Sequence, residues 1–378
     1  MRRRRITAAP LVVEVLGLFG QPLTASAAAR QLAAFTPGSV RREIGRLARW
    51  GFLVPAARRA VRDVSAMWRG SFAAAHFHFA TRDLVYLRDP EAQVRYVRAR
   101  FESGSPPPVY RRRSGVARVP LPRFEPAEMP LQTALRDRRT TRQFGRRPVP
   151  LATFSRIMHG TWGQTGWLDG GVFGRLLAKT SPSAGARHPI ECYVLVWRVA
   201  GLPAGLYHFD VQGASLERLR RGDFRDVAVA LAGGQPWIRD AAFLCVMTAV
   251  SDRVFWKYAS SDAYRLFLLD AGHLGQTFSL LATASGLGPF TTAALSERRI
   301  ERLLGVDGIS EFPVYLCGAG GRPGKGARAR RRLVSEVTGP VQDHAHRRGD
   351  ARVLTKAQKE LPSVRGAVVQ RRIARGLR

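Results

Sequence analysis

The stretch Ser181-Pro-Ser-Ala-Gly-Ala-Arg-His-Pro189 leads directly into Ile190-Glu-Cys-Tyr-Val-Leu-Val196. Prolines near both ends and a glycine inside predict a tight turn, and the apolar residues after it predict a buried strand. Small side chains let a ligand approach the main chain closely, so this turn suits a flat, hydrogen-bonding ligand that carries a phosphate. An ordinary surface loop has a similar composition, and the stretch alone does not separate the two interpretations.

Two other stretches favour a ligand site. Upstream, Arg138-Arg-Thr-Thr-Arg142-Gln-Phe144 places guanidinium groups beside hydroxyls, a combination that commonly binds phosphate. Downstream, Asp270-Ala-Gly-His-Leu-Gly-Gln276 lies in a long helical pattern, and Phe312-Pro-Val-Tyr-Leu-Cys-Gly318 predicts a final strand. Over roughly residues 130–322, the order and spacing of these stretches resemble the nitroreductase-like flavin fold. The resemblance is closer to its SagB-type (ThcOx-like) branch, the azoline dehydrogenases of thiazole- and oxazole-forming peptide clusters.

The resemblance implies an α+β fold with a central, mostly antiparallel sheet flanked by helices and a long helix at a dimer interface. The apolar patterns agree with such an alternation: a helix over 151–158, strands over 190–197 and 242–248, a hairpin through 206–219 and a helix over 260–284. The long helix carries a predicted apolar stripe of Tyr264, Leu268, Ala271, Leu274, Phe278 and Leu281.

The composition is that of a globular protein with excess basic charge. Of 378 residues 45% are hydrophobic, and 61 Lys and Arg against 28 Asp and Glu give a net charge of +33. Such a charge is typical of proteins that bind nucleic acid or anionic surfaces. However, Arg far outnumbers Lys, and Ala and Gly are abundant, as coding rich in G and C also produces. The charge is therefore weak evidence of a partner.

The cysteines and the N-terminus bear on cellular location. Cys192, Cys245 and Cys317 lie in or beside apolar runs, which indicates reduced, buried thiols, and their spacing resembles no metal site. Met1–Arg5 and the apolar run after it resemble a signal peptide, but Glu14 interrupts that run and helical patterning continues beyond it. We expect a cytoplasmic protein without a membrane segment.

Four regions are predicted along the chain. Residues 1–60 contain three helical patterns and a short strand, Phe52–Val54, and so resemble a winged helix. Residues 61–129 are a connecting segment that includes a linker: Gly104–Pro108 is rich in proline, and the charge run Arg111–Arg113 is expected in water. Residues 130–324 form the flavin domain, and 325–378 are a basic tail predicted to be disordered.

The winged-helix-like module has two interpretations. In DNA-binding members the third helix enters the major groove, which makes Arg41, Arg42, Arg46 and Arg49 candidates for contact with nucleic acid. A similar module precedes SagB-type flavin domains, where it resembles an element that docks the peptide or braces the dimer. We favour docking and leave nucleic acid open.

The resemblance implies flavin mononucleotide (FMN) bound between the subunits of a homodimer. One subunit would supply the corner Arg138–Arg142, at the phosphate and ring edge, and the other would supply the turn Pro182–Gly185, along the ring. In the family a glycine commonly stands near Ala293 or Ala294, where a backbone N–H meets flavin N5, so alanine here is a departure. The residues implied at the cofactor are Arg138, Arg139, Thr140, Arg142, Pro182, Ser183, Ala184, Gly185, Arg187, Ala293, Ala294 and Arg322.

The dipeptide Lys257-Tyr258 precedes Tyr264-Arg265 and the Asp270–His273 run, where SagB-type dehydrogenases carry a Lys-Tyr pair assigned to catalysis. Aromatising an azoline removes a proton from the ring carbon next to the carbonyl and a hydride from its neighbour. Burial among arginines lowers the pKa of a lysine, so Lys257 could act as the base while Tyr258 hydrogen-bonds the substrate. A lysine packed along its stem and an interface tyrosine would give the same pattern.

The function that this resemblance implies is FMN-dependent oxidation of an azoline in a ribosomally synthesised peptide, with oxygen as the final electron acceptor and a cyclodehydratase as an expected partner. One alternative is an NAD(P)H-dependent reductase of small acceptors. Another is a flavin-sensing winged-helix regulator that binds DNA. No glycine-rich dinucleotide fingerprint follows a strand, so a Rossmann nicotinamide site is not expected.

Overall fold

The computed structural model describes residues 10–18, 23–49, 53, 71–81, 87 and 89–323. The α-helices of these residues, numbered along the chain, are α1 Pro10–Leu18, α2 Ala25–Gln31, α3 Pro37–Arg49, α4 Phe72–Ala80, α5 Pro90–Ser103, α6 Leu131–Asp137, α7 Leu151–Trp162, α8 Arg225–Leu231, α9 Ser251–Phe255, α10 Tyr264–Ala284 and α11 Glu297–Leu304. The strands are β1 Ala117–Pro120, β2 Gln164–Asp169, β3 Arg175–Lys179, β4 Ile190–Val196, β5 Gly205–Asp210, β6 Ser215–Arg221, β7 Phe243–Val250, β8 Leu287–Thr292 and β9 Glu311–Gly321.

A seven-stranded sheet is the centre of the fold. Its strand order is β1-β6-β5-β4-β7-β9-β8, every neighbouring pair is antiparallel, and β2 and β3 form a separate hairpin. Successive side chains of a strand point to opposite faces. Cys192, Val194 and Val196 of β4 thus join the core under α7 and α10, whereas Tyr193 and Leu195 join the core under α8 and α11. The predicted α+β class, with an antiparallel sheet flanked by helices, is confirmed.

The predicted stripe of the long helix is only partly correct. Ala271, Leu274 and Phe278 are buried as expected, but Tyr264 and Leu268 are 43% and 49% exposed. Phe267, one position before Leu268, is fully buried instead. The sheet therefore covers a face of α10 that is rotated from the predicted one and leaves part of the helix's apolar surface uncovered.

The N-terminal helices α1, α2 and α3 pack around a small apolar core that includes Val15, Val40 and Leu47. Thr24 caps α2, because its hydroxyl accepts the Ala27 N–H at 3.1 Å. The predicted strand Phe52–Val54 lies outside the described residues except for Leu53, so the winged helix and the domain boundaries stay predictions. The predicted tail also lies outside them, and none of the described helices is long and apolar enough to cross a bilayer.

The segment predicted as a solvated linker is bound to the sheet. Arg111 donates to the Tyr193 hydroxyl at 2.9 Å and forms an ion pair with Glu311. The Arg113 backbone N–H donates to Glu217 at 2.8 Å. The prediction was wrong because Glu217 and Glu311 are buried on the sheet and require cations and donors, which this basic segment supplies.

A buried network of charged side chains crosses the sheet. Glu191 on β4 pairs with Arg253 on α9 at 2.5 Å, and His208 on β5 bridges Glu191, at 2.8 Å, and Glu217 on β6, at 3.0 Å. Burial alone would raise the pKa of the Glu191 carboxyl, but Arg253 and His208 hold it well below its ordinary 4.5. The ionised form of Glu191 is therefore the one that the fold stabilises.

We predict that Glu191→Gln, which keeps the shape but removes the charge, lowers the free energy of unfolding by about 3–5 kcal/mol, because Arg253 loses its buried counterion. Urea unfolding at neutral pH measures the loss. Since the folded pKa is depressed, the stabilisation is complete above the unfolded pKa and is lost as the pH falls through the folded one. Glu102→Gln, at an exposed position of α5, is the control; an equal effect of both substitutions would contradict this account.

Candidate functional site

The Ser181–Pro189 turn, from here the ring loop, is held in an unusual backbone conformation. Gly185, Ala186 and His188 have positive φ angles of 59°, 52° and 43°. Such angles cost a non-glycine residue roughly 1–2 kcal/mol and persist only where the surroundings hold them. Ser183 is one such restraint: its hydroxyl donates to Asp270 at 2.5 Å and accepts the His188 N–H at 2.8 Å.

Histidine side chains anchor the same loop. His188 Nε2–H donates to the Leu177 carbonyl at 2.8 Å. Burial is the larger cause and the charge of Lys179 the next, and together they lower the pKa of His188 to about 4. His273 on α10 hydrogen-bonds the Pro182 carbonyl at 3.2 Å through Nδ1. Both contacts give these histidines structural roles in holding the loop.

Lys257 and Tyr258 meet the ring loop at Gly185. A Cβ added to Gly185 would lie 2.6 Å from Lys257 Nζ and 2.7 Å from the Tyr258 hydroxyl, so only glycine leaves room for both groups. The Lys257 Nζ also lies 3.9 Å from the centre of the Phe173 ring. The structure thus brings the predicted catalytic pair to the middle of the predicted ring-binding turn within one chain.

The surroundings of this pair lower the pKa of the lysine and raise that of the tyrosine. Burial, and then the charge of Arg187, lower the pKa of Lys257 below its ordinary 10.5. Burial raises the pKa of Tyr258; the charge of Arg187 reduces this increase, and the charge of Asp270 adds to it. Lys257 can therefore accept a proton more readily than an exposed lysine, and Tyr258 stays protonated and able to donate.

Arg187 of the ring loop is buried next to the Lys257-Tyr258 pair. It is only 4% exposed, its guanidinium lies over the Trp256 ring at 5.3 Å, and its Nε has no hydrogen-bond partner. Burial lowers its pKa. Its contacts place it beside the Lys257-Tyr258 pair, where its charge acts on both side chains.

The Arg138–Arg142 corner forms a second polar site. Arg138 and Thr140 line a cavity of about 120 Å³ together with Gly272, Gly275, Gln276, Ser279, Pro289, Phe290, Thr291 and Tyr315. The Thr141 N–H donates to the Pro289 carbonyl at 2.8 Å and fixes this segment to β8. A cation, hydroxyls and the open space beside Gly272, where an added Cβ would meet nothing within 4 Å, suit a phosphate group.

Other arginines predicted for the corner have different contacts. Arg139 donates to the Arg136 and Arg138 carbonyls, at 2.8 and 2.7 Å, and Arg142 lies over the Trp237 ring at 5.7 Å. Arg322 donates to the Leu287 carbonyl at 3.1 Å. Of the predicted cluster, only Arg138 and Thr140 line the cavity.

The alanines that replace the usual glycine are also placed. The Ala294 N–H donates to Thr292 Oγ1 at 3.1 Å. Ala294 also packs closely on Gly233, since a Cβ added to Gly233 would lie 3.2 Å from the Ala294 Cβ. Ala293 is exposed. The Ala294 N–H is therefore already satisfied within the chain, and Ala293 is the better placed of the two to contact a ligand.

The ring loop and the corner contact different sides of α10. Asp270, His273 and Thr277 bind the ring loop, whereas Gly272, Gln276 and their neighbours line the corner cavity. An α-helix turns about 100° per residue, so these two sets face roughly opposite directions. Within one chain the helix separates the two parts of the predicted site.

Some contacts of the site had no signal in the sequence. Tyr96 on α5 donates to the Lys257 carbonyl at 3.0 Å, and Arg100 donates to the Phe255 carbonyl at 3.1 Å and to that of Trp256. These acceptors are backbone atoms, which any residue type provides. Asp270, by contrast, stood in a noted motif and could have been proposed as the anchor of the ring loop.

Comparison with known proteins identifies the family. Residues 135–321 match the Nitroreductase family. A protein of Methanocaldococcus jannaschii that is named as a nitroreductase is 30% identical over 202 residues, which are 53% of this chain and 95% of that protein. The chain belongs to the nitroreductase family. Nitroreductases are oxidoreductases that generally depend on FMN, and both the ring loop and the corner lie within the matched nitroreductase residues.

Two further similarities extend this result. The trifolitoxin operon protein TfxC of Rhizobium leguminosarum biovar trifolii is 26% identical over 292 residues, which are 71% of this chain and 78% of that protein. A crystal structure from Anabaena variabilis that is titled as a nitroreductase matches with a TM-score of 0.50 and 20% identity. That match covers 66% of this chain and 47% of the other, so this chain spans about half the length of that nitroreductase, and the likeness shows the fold.

We predict that Gly185→Ala moves Lys257 Nζ or the Tyr258 hydroxyl by about 1 Å, because the added Cβ would lie 2.6 Å from one and 2.7 Å from the other, against at least 3.4 Å for an ordinary contact. A crystal structure of the variant measures the shift. Gly201→Ala is the matched control, since Gly201 has a φ of +74° and open space around it. Unmoved side chains in Gly185→Ala would contradict the described packing.

Proposed function

We propose that this nitroreductase-family protein is an FMN-dependent dehydrogenase that converts azolines in a ribosomally synthesised peptide to azoles. The observation that carries the proposal is the meeting of Lys257 and Tyr258 at Gly185, in the middle of the ring loop. A base and a hydrogen-bond donor next to the ring-binding turn are what removal of a proton beside a carbonyl requires. A reductase of small acceptors has less need of such a base.

The residues of the site fit FMN when two copies of the chain come together. Arg138 and Thr140 of one copy would bind the phosphate, and Pro182–Gly185 of the other would line the ring. The two parts lie on opposite sides of α10, so a second copy supplies the part that one chain cannot bring to the same ligand. Bound flavin supplies a two-electron acceptor.

Exposed apolar residues support a homodimer. Leu268 and Leu269 on α10 are 49% and 56% exposed, and Leu131 and Leu135 on α6 are 64% and 50% exposed. Four large aliphatic side chains on two helices that contact one another form a surface that water solvates poorly. A second copy covering this surface would also complete the FMN site.

Lys257 would take the proton from the ring carbon next to the substrate carbonyl. Its lowered pKa increases the fraction of neutral amine at physiological pH, and Arg187 contributes to that shift. Tyr258, whose pKa is raised, would donate a hydrogen bond to the substrate. The buried guanidinium of Arg187 lies beside the pair and gives the site a further positive charge, and its Nε has no hydrogen-bond partner.

The substrate class draws support from the similarity to TfxC, which is named for the trifolitoxin operon and covers more of this chain than the nitroreductase domain alone. An azoline arises when a side chain cyclises onto a backbone carbonyl with loss of water, so a cyclodehydratase would supply the substrate. The N-terminal helices α1–α3 would help to dock the peptide or brace the dimer.

A second candidate is an NAD(P)H-dependent reductase of small acceptors, which the similarity to the Methanocaldococcus protein named as a nitroreductase favours. Turnover of NADPH with a nitroaromatic compound, without oxidation of any azoline peptide, would establish this alternative.

We predict that the purified protein is yellow with bound FMN and oxidises a thiazoline peptide at a rate that rises with pH. The base must be neutral, so the rate increases through the pKa of Lys257, which lies below 10.5. Lys257→Met should keep the flavin absorbance but lower kcat by roughly 10²–10⁴-fold and remove this pH dependence.

Tyr258→Phe is the companion variant, since it removes a donor and leaves the base. It should lower the rate yet keep the rise with pH. A colourless protein that takes up no added FMN would refute the proposal, and so would a Lys257→Met variant that oxidises azolines at the wild-type rate.

A further inference from the structure

We propose that the cavity between α5 and residues 257–262, from here the α5 cavity, binds a large apolar side chain of the peptide, on a residue next to the azoline. This inference rests on the proposed function, which it deepens by naming the kind of peptide that the site selects. It concerns residues that precede the nitroreductase match, Leu87–Val97, as well as the candidate catalytic pair.

The α5 cavity is large enough and apolar enough for this role. It has a volume of about 670 Å³, within the range of about 300–1,000 Å³ that is typical of ligand pockets. Most of its wall is apolar. The lining residues are Leu87, Pro90, Gln93, Val94, Tyr96, Val97, Val172, Phe173, Lys257, Tyr258, Ala259, Ser260 and Asp262.

The position of the α5 cavity connects it to the chemistry. Lys257 and Tyr258, which contact the ring loop at Gly185, also belong to its wall. Consecutive residues of an extended peptide are only about 3.3–3.6 Å apart along the chain. A ring held at the catalytic pair therefore places the next residue of the peptide at this cavity.

The charges around the α5 cavity favour a neutral occupant. Within the described part of the chain, Lys257 and Asp262 are the charged residues in its wall, and the other side chains there are neutral. A charged side chain would lose hydration on entering and gain few hydrogen bonds in exchange. Burying an aliphatic or aromatic side chain, in contrast, is favourable in proportion to its apolar area.

The wall that α5 provides is fixed to the catalytic segment. Tyr96 and Arg100 donate to the carbonyls of Phe255, Trp256 and Lys257, and the Trp256 indole N–H donates to the Gly104 carbonyl at 3.0 Å. The opposite wall is the tip of the β2–β3 hairpin, where Val172 is 52% exposed and Phe173 contacts Lys257. An added helix thus gives a nitroreductase domain a defined side-chain pocket.

The test compares two thiazoline peptides whose residues flanking the ring are Phe in one and Gly in the other. We expect the wild-type protein to oxidise the Phe peptide with a kcat/KM at least about 10-fold higher, as burial of one aromatic side chain permits. Val94→Trp, which narrows the α5 cavity, should lower this ratio.

Two further variants make the comparison sharp. Ala99→Trp introduces the same side chain on the exposed face of α5, outside the cavity wall, and should keep the wild-type ratio. Val94→Ala enlarges the cavity, and should shift the preference from Phe towards a peptide with flanking Trp. FMN absorbance shows that each variant is folded.

The outcomes separate the two proposals. Equal oxidation of the Phe and Gly peptides by the wild-type protein overturns the subsite and leaves azoline dehydrogenation standing. An unchanged ratio in Val94→Trp overturns it as well. A flavin-loaded protein that oxidises neither peptide refutes the proposed function, and the subsite falls with it.

Discussion

The helix Tyr264–Ala284 imposes the constraint on which the rest of the site depends. One side of it binds the ring loop through Asp270, His273 and Thr277, and the other side lines the cavity of Arg138 and Thr140. An α-helix is rigid because of its backbone hydrogen bonds, so residues on opposite sides of it within one chain cannot contact the same ligand. The proposed flavin site, made from these two parts, would therefore take one part from each of two chains.

Next to the ring loop, buried charged side chains hold together the elements that carry the proposed site. Arg253 pairs with Glu191 on β4 and donates to the His188 carbonyl at 3.0 Å and to the Pro108 carbonyl at 2.9 Å. It lies on α9, which leads directly into Lys257. One guanidinium thus connects the sheet, the ring loop and the connecting segment, and it lies on the helix just before the candidate catalytic pair; its burial makes each of its contacts costly to lose.

The sequence predicted what local patterns determine. Apolar runs specified β4, β7, β9 and the β5–β6 hairpin, and helical periodicity specified α10 to within four residues, whereas β1, β2, β3 and β8 were not predicted. Long-range contacts were not predictable: Arg111 was expected in water because nothing local shows that Glu311, two hundred residues away, is buried. The contact of Arg187 with the Trp256 ring is also long-range and had no local signal. The contacts of α5 with backbone carbonyls depend on the fold and not on residue types.

Hybrid dimers give the most direct test of the two-chain site. One chain carries Arg138→Glu, which repels phosphate, and the other carries Ala184→Trp, which occupies the ring space; different tags allow the hybrid to be isolated, and bound FMN is measured. If each site combines the corner of one chain with the ring loop of the other, both substitutions in the hybrid fall in the same one of its two sites and the other site is intact. The hybrid should therefore bind about one FMN per dimer, and each parent dimer almost none. A hybrid without FMN, equal to its parents, would show that one chain builds its own site.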